Sequence, residues 1–377
     1  MRFRPMPHLV VSISGHGFGH VAQTAPILNL LHERMPELRL TVRTAVPLAH
    51  LRSRILAPFE HLHSQGDFGM AMSSALDVRI EESRATYRAF HANWDERVAE
   101  EARLLRELGA DVVFSNVGYL PLAAAQRAGI PNAALCSLNW SDIYRHYCSD
   151  KSGSVRSNPS TSSGRTDDER IAAQILACYA NADAFLRATP GMAMNDLPNL
   201  VPVAPIAAVG DNRRDELERH LRLSKEEKLV LVSLGGITSR LPIERWPRID
   251  GVRWLVQSSW QVDHPDAIAL ESLPLSFGDL LASCDALLCK PGYGSFVEAA
   301  SSGVPVLYVN RADWPESPAL VEWLQLQGTC REVSRDALEN GDLAGGLESL
   351  WRMPQTEPVK PGGAAQVADW LMQRLAR

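Results

Sequence analysis

Two short stretches of the sequence combine glycines with groups that could handle a proton or a phosphate. The first is Gly15-His16-Gly17-Phe18-Gly19-His20, directly after the apolar run Leu9 to Ile13. An imidazole at the carboxyl end of a strand, with an ordinary pKa of about 6.5, suits a general base. His16 and His20 are therefore the candidate catalytic residues, the alternative being that they do no more than cap backbone groups. The second stretch is Lys290-Pro291-Gly292-Tyr293-Gly294-Ser295-Phe296-Val297-Glu298, after the apolar run ending at Cys289. Its glycines permit a sharp turn, and a helix opened by them presents N–H groups and a positive dipole end to a phosphate. The same residues have a local reading, in which Ser295 is the helix N-cap and Glu298 completes a capping box. A third turn, Ser233-Leu234-Gly235-Gly236, follows the apolar run from Lys228. Asp313 and Glu316 lie just beyond the run Val306 to Val309. Their carboxylates could accept hydrogen bonds from sugar hydroxyls, or Asp313 or Ser317 could cap a helix.

Groups at the ends of apolar runs need strands to hold them. His8 to Ser14 reads as the first strand, and an apolar helical pattern runs from Ala25 to Leu31 with Pro26 in its first turn. A dinucleotide-binding unit would show G-x-G-x-x-G and an acid roughly 20 residues on. Here the spacing is G-x-G-x-G, and the next strand, Leu38 to Ala45, ends without an acid. Further along, Glu82 to Leu108 reads as one long helix, Asp111 to Ser115 and Pro131 to Cys136 as strands, and Leu120 to Ala128 as a helix. Ser137 to Tyr144 mixes polar and aromatic residues, as a loop that lines a substrate or is anchored by one buried Trp. Ser152 to Thr166 has almost no apolar residues and reads as a mobile loop, within 150–168. A helix from Glu169 to Tyr179 and a strand from Asp183 to Ala188 follow.

Pro198, Pro202 and Pro205 punctuate a connector, after which strand and glycine turn begin again at Lys228. The expected architecture is α/β, with two Rossmann-like domains at 1–205 and 206–377 and a central cleft faced by the glycine turns. The last helix, within 364–377, is expected to pack back on the first domain.

Composition excludes several classes. The net charge of −6 disfavours non-specific binding to nucleic acid. The six cysteines show no metal-ligand spacing and sit largely in apolar runs, which suits buried thiols in a reducing compartment. No stretch approaches the ~18 apolar residues of a membrane span, and the run at 9–13 is too short for a signal peptide. The expected location is the cytoplasm, with peripheral contact to a membrane left open.

Taken together, the His-bearing glycine turn, the Ser-x-Gly-Gly turn and the Gly-x-Gly-Ser-x-x-Glu motif resemble glycosyltransferases of the GT-B architecture. Ser14 to Val21 is similar to the N-terminal loop of the bacterial N-acetylglucosaminyltransferase of peptidoglycan synthesis, with His20 on that loop's histidine and His16 extra. The stretch from Lys290 resembles the donor motif of the UDP-sugar transferases. Gly15–His20, Ser137–Tyr144, Lys228–Gly236, Lys290–Glu298 and Asp313–Pro318 resemble the N-terminal, transferase-like domain of plant L-arabinokinases. The sugar-kinase domain that follows in those proteins is not in this sequence, which favours an activity of the transferase-like part itself.

The resemblance implies a role for each matched position. Glu298 would hold the ribose of a nucleotide, and Gly292, Tyr293, Gly294 and Ser295 its diphosphate. Ser233, Gly235 and Gly236 would approach the phosphates, as would Gly17 and Gly19 from the first turn. Asp313 and Glu316 would hold the donor sugar, with Lys290 or Arg311 assisting at the phosphates. His20 would be the base, with His16 in reserve. No Asp-x-Asp occurs, so no metal and no cofactor is expected beyond the nucleotide-sugar substrate, a UDP-sugar being favoured. Retaining members carry a glutamate at the position of Lys290, and its loss favours inversion. The partners are then a nucleotide sugar and an unidentified acceptor. A nucleotide-sugar epimerase or hydrolase, or a non-catalytic sensor, stays open.

Overall fold

The computed structural model describes residues 6–64, 66–149, 162–235 and 240–376. The chain falls into two compact units, residues 1–206 with 362–377, and residues 207–361. In the first, β1 (His8–Ile13), α1 (Gly19–Arg34), β2 (Arg39–Thr44), α2 (Leu48–Arg54), β3 (Glu60–His63), α3 (Ile80–His91), α4 (Trp94–Leu108), β4 (Val112–Asn116) and α5 (Leu120–Ala128) come first. They are followed by β5 (Asn132–Cys136), α6 (Trp140–Cys148), α7 (Ser162–Ala180), β6 (Ala184–Ala188) and β7 (Leu200–Val203). The second unit runs α8 (Arg214–Leu221), β8 (Lys228–Ser233), β9 (Val252–Val256), β10 (Ala267–Ala269), α9 (Phe277–Ala282), β11 (Ala286–Cys289) and α10 (Tyr293–Ser302). It ends with β12 (Val306–Val309), α11 (Ser317–Gln327), β13 (Cys330–Val333), α12 (Arg335–Asn340) and α13 (Ala344–Trp351). The last helix, α14 (Gly363–Leu375), belongs to the first unit.

Each unit is one sheet, ordered β3-β2-β1-β4-β5-β6-β7 and β10-β9-β8-β11-β12-β13. Every pairing in both is parallel. The central strands have the composition such sheets demand: all residues of β1, β4, β5, β11 and β12 are buried, because helices cover both faces. The α/β expectation, one Rossmann-like sheet per unit, is what the chain forms.

Several local expectations are corrected. The helix predicted over Glu82 to Leu108 is two helices, broken at Ala92-Asn93. The bend turns Phe90, His91 and Trp94 together onto Tyr119, with ring centroids 5.5–6.1 Å from it, so aromatic packing outweighs helical continuity. The loop predicted at Ser137 to Tyr144 is helical from Trp140, because Asn139 caps α6 by accepting a hydrogen bond from the Asp142 N–H at 2.8 Å. Of the mobile loop predicted at Ser152 to Thr166, α7 takes the part from Ser162, and residues 152–161 lie outside the described residues.

α14 buries Val367, Ala368, Leu371 and Leu375 and packs on α1. It is tied there by an Arg34–Asp369 ion pair at 2.6 Å and by Gln366 Oε1, which accepts from the Ala204 N–H at 2.7 Å. The ion pair is exposed and adds little, so the apolar face carries the docking. Leu371→Ala, at a fully buried position, is expected to destabilise the first unit by about 2–5 kcal/mol, read as a shift of its denaturant midpoint. A change within error would show that α14 is only loosely attached.

Candidate functional site

In each sheet the strand order reverses direction once, between β1 and β4 and between β8 and β11. On either side of such a reversal the connections leave toward opposite faces, so the carboxyl ends of the two strands stay uncovered, and open α/β sheets bind ligands there. All three sequence-derived turns begin at these reversals, after β1, β8 and β11.

At the first, β1 pairs with β4 so that Ile13 faces Asn116, and the Ser14 N–H donates to the Asn116 carbonyl at 2.7 Å. The turn then passes Gly17, whose φ of +84° requires glycine, and α1 starts at Gly19 with no side-chain cap. His20 is buried and its Nδ1 lies 2.8 Å from Asn116 Oδ1. The surrounding bonds fix which atom of the amide faces the ring. Asn116 Nδ2 donates to Gln23 Oε1 (3.0 Å) and Thr24 Oγ1 (3.1 Å). Gln23 Nε2 is committed to Ser137 Oγ, and the Thr24 hydroxyl donates to the His20 carbonyl. Oδ1 therefore faces His20, so Nδ1 carries the proton and Nε2 keeps its lone pair. Burial pushes the His20 pKa down to about 4, opposed by the Asn116 bond, and the ring is neutral at physiological pH. Cys136 Sγ lies 3.7 Å from the same Nδ1.

His16 is held by other contacts. Its backbone N–H donates to Ser14 Oγ at 3.3 Å and its ring meets Trp140 edge-on, centroids 5.3 Å apart. Trp140 in turn donates from Nε1 to Asp67 Oδ2 at 2.8 Å, and Ser14 Oγ donates to Asp67 Oδ1 at 2.7 Å. Asp67 is 2 % exposed, and burial raises its pKa to about 6 against the pull of those two hydrogen bonds.

At the second reversal Cys289 faces Ser233 across β11 and β8. Gly235 has φ +82°, which again requires glycine, and a Cβ placed on it would lie 3.8 Å from Lys290 Cε. Burial foremost and the Arg311 charge after it, opposed by Glu316, lower the Lys290 pKa to about 7. The helix cap differs from the expectation. α10 is capped by Gly292, with no side-chain cap, and the Phe296 N–H closes the first turn onto the Gly292 carbonyl at 3.0 Å. Ser295 is the third residue inside the helix, so the capping box of Ser295 and Glu298 is not formed. The N–H groups of Gly294 and Ser295 lie in the first turn, where no intrahelical carbonyl is in reach. Tyr293 and Gly294 are buried, and Glu298 faces inward at 3 % exposure. Gly236 lies outside the described residues.

Beyond β12 the two acidic candidates separate. Glu316 is buried and accepts from Trp314 Nε1 at 3.2 Å, while the Asp313 side chain is 54 % exposed. Buried Arg311 stacks over Trp314, 4.0 Å from the ring centroid. The cap of α11 is Glu316, by its backbone, and not Asp313 or Ser317. Among the described residues no group of three or more His, Cys, Asp or Glu side chains is arranged to hold a metal ion.

No family model matches the chain. It is 24% identical over 376 residues to the L-arabinokinase of Arabidopsis thaliana, an alignment covering 98% of this chain and 34% of that protein. The chain thus spans about a third of the curated relative it matches. Among solved structures, the calicheamicin glycosyltransferase CalG4 superposes with a TM-score of 0.61 at 15% identity, covering 100% of this chain and 99% of its own. Phytolacca americana UGT2, complexed with UDP-2-fluoroglucose and pterostilbene, gives 0.55 at 15% identity, covering 98% and 94%. The fold is GT-B. The resemblance seen in the motifs thus extends to the architecture of the whole chain. In this GT-B protein the sequence motifs account for the turns but not for what backs them. Asn116 reads in sequence only as the residue after a strand. Asp67 did leave a trace, as the lone charged residue from Ser64 to Leu76.

The raised pKa of Asp67 makes a signed prediction. A carboxyl whose folded-state pKa is raised contributes stability below its unfolded pKa and loses it as pH rises through the folded value. Wild-type stability from this group therefore falls between pH 4 and about 6. Asp67→Asn is expected to gain about 1–3 kcal/mol relative to wild type between pH 4 and pH 7, measured by denaturant unfolding at both. A pH-independent difference would mean that Asp67 ionises normally.

Proposed function

We propose that the protein transfers a sugar from a nucleotide sugar, a UDP-sugar being favoured, to an acceptor hydroxyl, without a metal and with inversion. The observation that carries this reading is the α10 N-terminus, opened by Gly292 without a side-chain cap and set beside Lys290 and Gly235 at the β8–β11 reversal. Main-chain N–H groups, a positive helix end and an adjacent ammonium form a site for the charge of a diphosphate, both bound and leaving. Glu298 accepts from the ribose hydroxyls, and the exposed carboxylate of Asp313 accepts from the donor sugar. Glu316, tied to Trp314, acts through that ring.

In the same reading the acceptor hydroxyl gives its proton to His20 Nε2 as its oxygen bonds to the anomeric carbon, while the bond from that carbon to the diphosphate breaks. Asn116 holds the ring in the tautomer this needs. With the ring neutral above pH 5, its availability as a base does not change across the physiological range. Two further points support the donor side: UGT2 was solved with a UDP-sugar analogue, and the LpCGTa structure with UDP.

The deciding assay follows free UDP from a panel of UDP-sugars with and without candidate acceptors. Release only with an acceptor supports transfer. Release into water, interconversion of the sugars, or binding without turnover would replace the reading by a hydrolase, an epimerase or a sensor. His20→Ala is expected to keep UDP affinity and lose ~10²–10⁴-fold in transfer rate, and near-wild-type turnover would remove the base from His20. Glu298→Ala should weaken UDP binding by about 1–3 kcal/mol. Lys290 is protonated below about pH 7, so UDP affinity should fall as pH rises from 6 to 8.5, and Lys290→Met should flatten that dependence. Calorimetry showing the same slope in both would place the titrating group elsewhere.

A further inference from the structure

We propose that Asp67 is a positioning residue that sets the two-histidine turn through Ser14 and Trp140. This rests on the transferase reading only for its effect on rate, since the coupling itself is a property of the first unit. Asp67 accepts from Ser14 Oγ and Trp140 Nε1, one donor on each carboxylate oxygen. Ser14 Oγ also takes the His16 N–H, and Trp140, fully buried, lies against both rings, edge-on to His16 and tilted 55° to His20 with centroids 6.0 Å apart. The loop carrying Asp67 is itself pressed onto His16: a Cβ on Gly69 would come within 2.4 Å of His16 Cγ. One carboxylate thus anchors the backbone of the turn and the wall behind its side chains.

Nothing about folding asks for an acid at this place. The titratable groups around it are Tyr87 on α3, Tyr119 between β4 and α5, and Tyr179 on α7, with His16 and His20 on the turn. Burial foremost raises all three phenols well above their ordinary range, with the charge of Asp67 next for Tyr87 and Tyr179 and, for Tyr119, Asp67 adding after Tyr87 and Tyr179, so they stay neutral. Ionised Asp67 satisfies two donors. Protonated Asp67 must itself donate, and a hydroxyl that accepts from it can no longer give its proton to the same oxygen. Ser14 Oγ then has to reorient, which disturbs the bond from His16 N–H. The turn therefore has two hydrogen-bonding arrangements, exchanged as the Asp67 carboxyl gains or loses its proton.

The test is an NMR titration of the full chain from pH 5 to 8, following the Trp140 indole N–H, assigned by its loss in Trp140→Phe, and the His16 backbone N–H, which donates to Ser14 Oγ. The indole signal is expected to move upfield with a midpoint of about 6 on acidification, with the His16 backbone N–H inflecting at the same pH. Asp67→Asn should abolish both inflections. It should also lower kcat by ~10–100-fold, leave the Kd for UDP within twofold, and remove the acidic limb near pH 6 from the kcat profile. Trp140→Phe, which removes only one donor, should show a smaller rate loss with the limb kept. An indole signal that does not titrate, or an Asp67→Asn enzyme with wild-type kcat and profile, would overturn the proposal. If wild type transfers no sugar to any acceptor, the transferase reading falls, and the two inflections alone decide the coupling.

Discussion

Everything that could do chemistry in this chain hangs on two parallel strand pairings, β1 with β4 and β8 with β11. A parallel strand cannot be followed directly by its neighbour, so the chain must leave by a crossover, and crossovers to opposite faces part company where the strand order reverses. The register then does the rest. Ile13 beside Asn116 brings the amide to the foot of the histidine turn, and Ser233 beside Cys289 brings Gly235 to Lys290. A slip of one residue in either pairing would turn those side chains to the other face of the sheet.

The two reversals carry opposite electrostatics. In the second unit the α10 N-terminus and Lys290 concentrate positive potential, which suits an anion. At the histidine turn burial pushes the ionisable groups toward neutrality: His20 is kept unprotonated by it, and its partner is an amide where a carboxylate would have favoured the imidazolium. Asp67 is pushed the same way, yet with a pKa of about 6 it is ionised at neutral pH. It is held so among neutral donors at a cost to folding, the kind of local conflict that marks a functional place in an otherwise consistent structure.

Strands and turns were legible because their signals are local. Apolar runs buried on both faces ending in Gly-rich turns leave few alternatives, and His20, Gly235 and Gly292 follow from them directly. Where tertiary contacts compete with local pattern, the sequence misleads. Glu82 to Leu108 has helical periodicity throughout, yet the ring cluster around Tyr119 bends it. Ser295-x-x-Glu298 has the spacing of a capping box, yet Gly292 opens the helix a turn earlier. The least legible residues are the polar ones buried by long-range contact. Asn116 is 96 positions from His20, and Asp67 is 73 from Trp140. Nothing local announces a hydrogen bond across such a separation.

The return of α14 to α1 has a consequence for how the chain comes into being. The first unit is discontinuous, and the whole of 207–361 is synthesised before the helix that covers α1. The second unit is contiguous and can complete its sheet while the first still lacks a layer. Until Gly363–Leu375 arrives, the surface of α1 that it will cover stays wet, and α1 is the helix whose first turn carries His20. Maturation of the histidine turn is thereby tied to a helix that is delivered only after the whole second unit, so the two units ripen in the reverse of the order in which they begin.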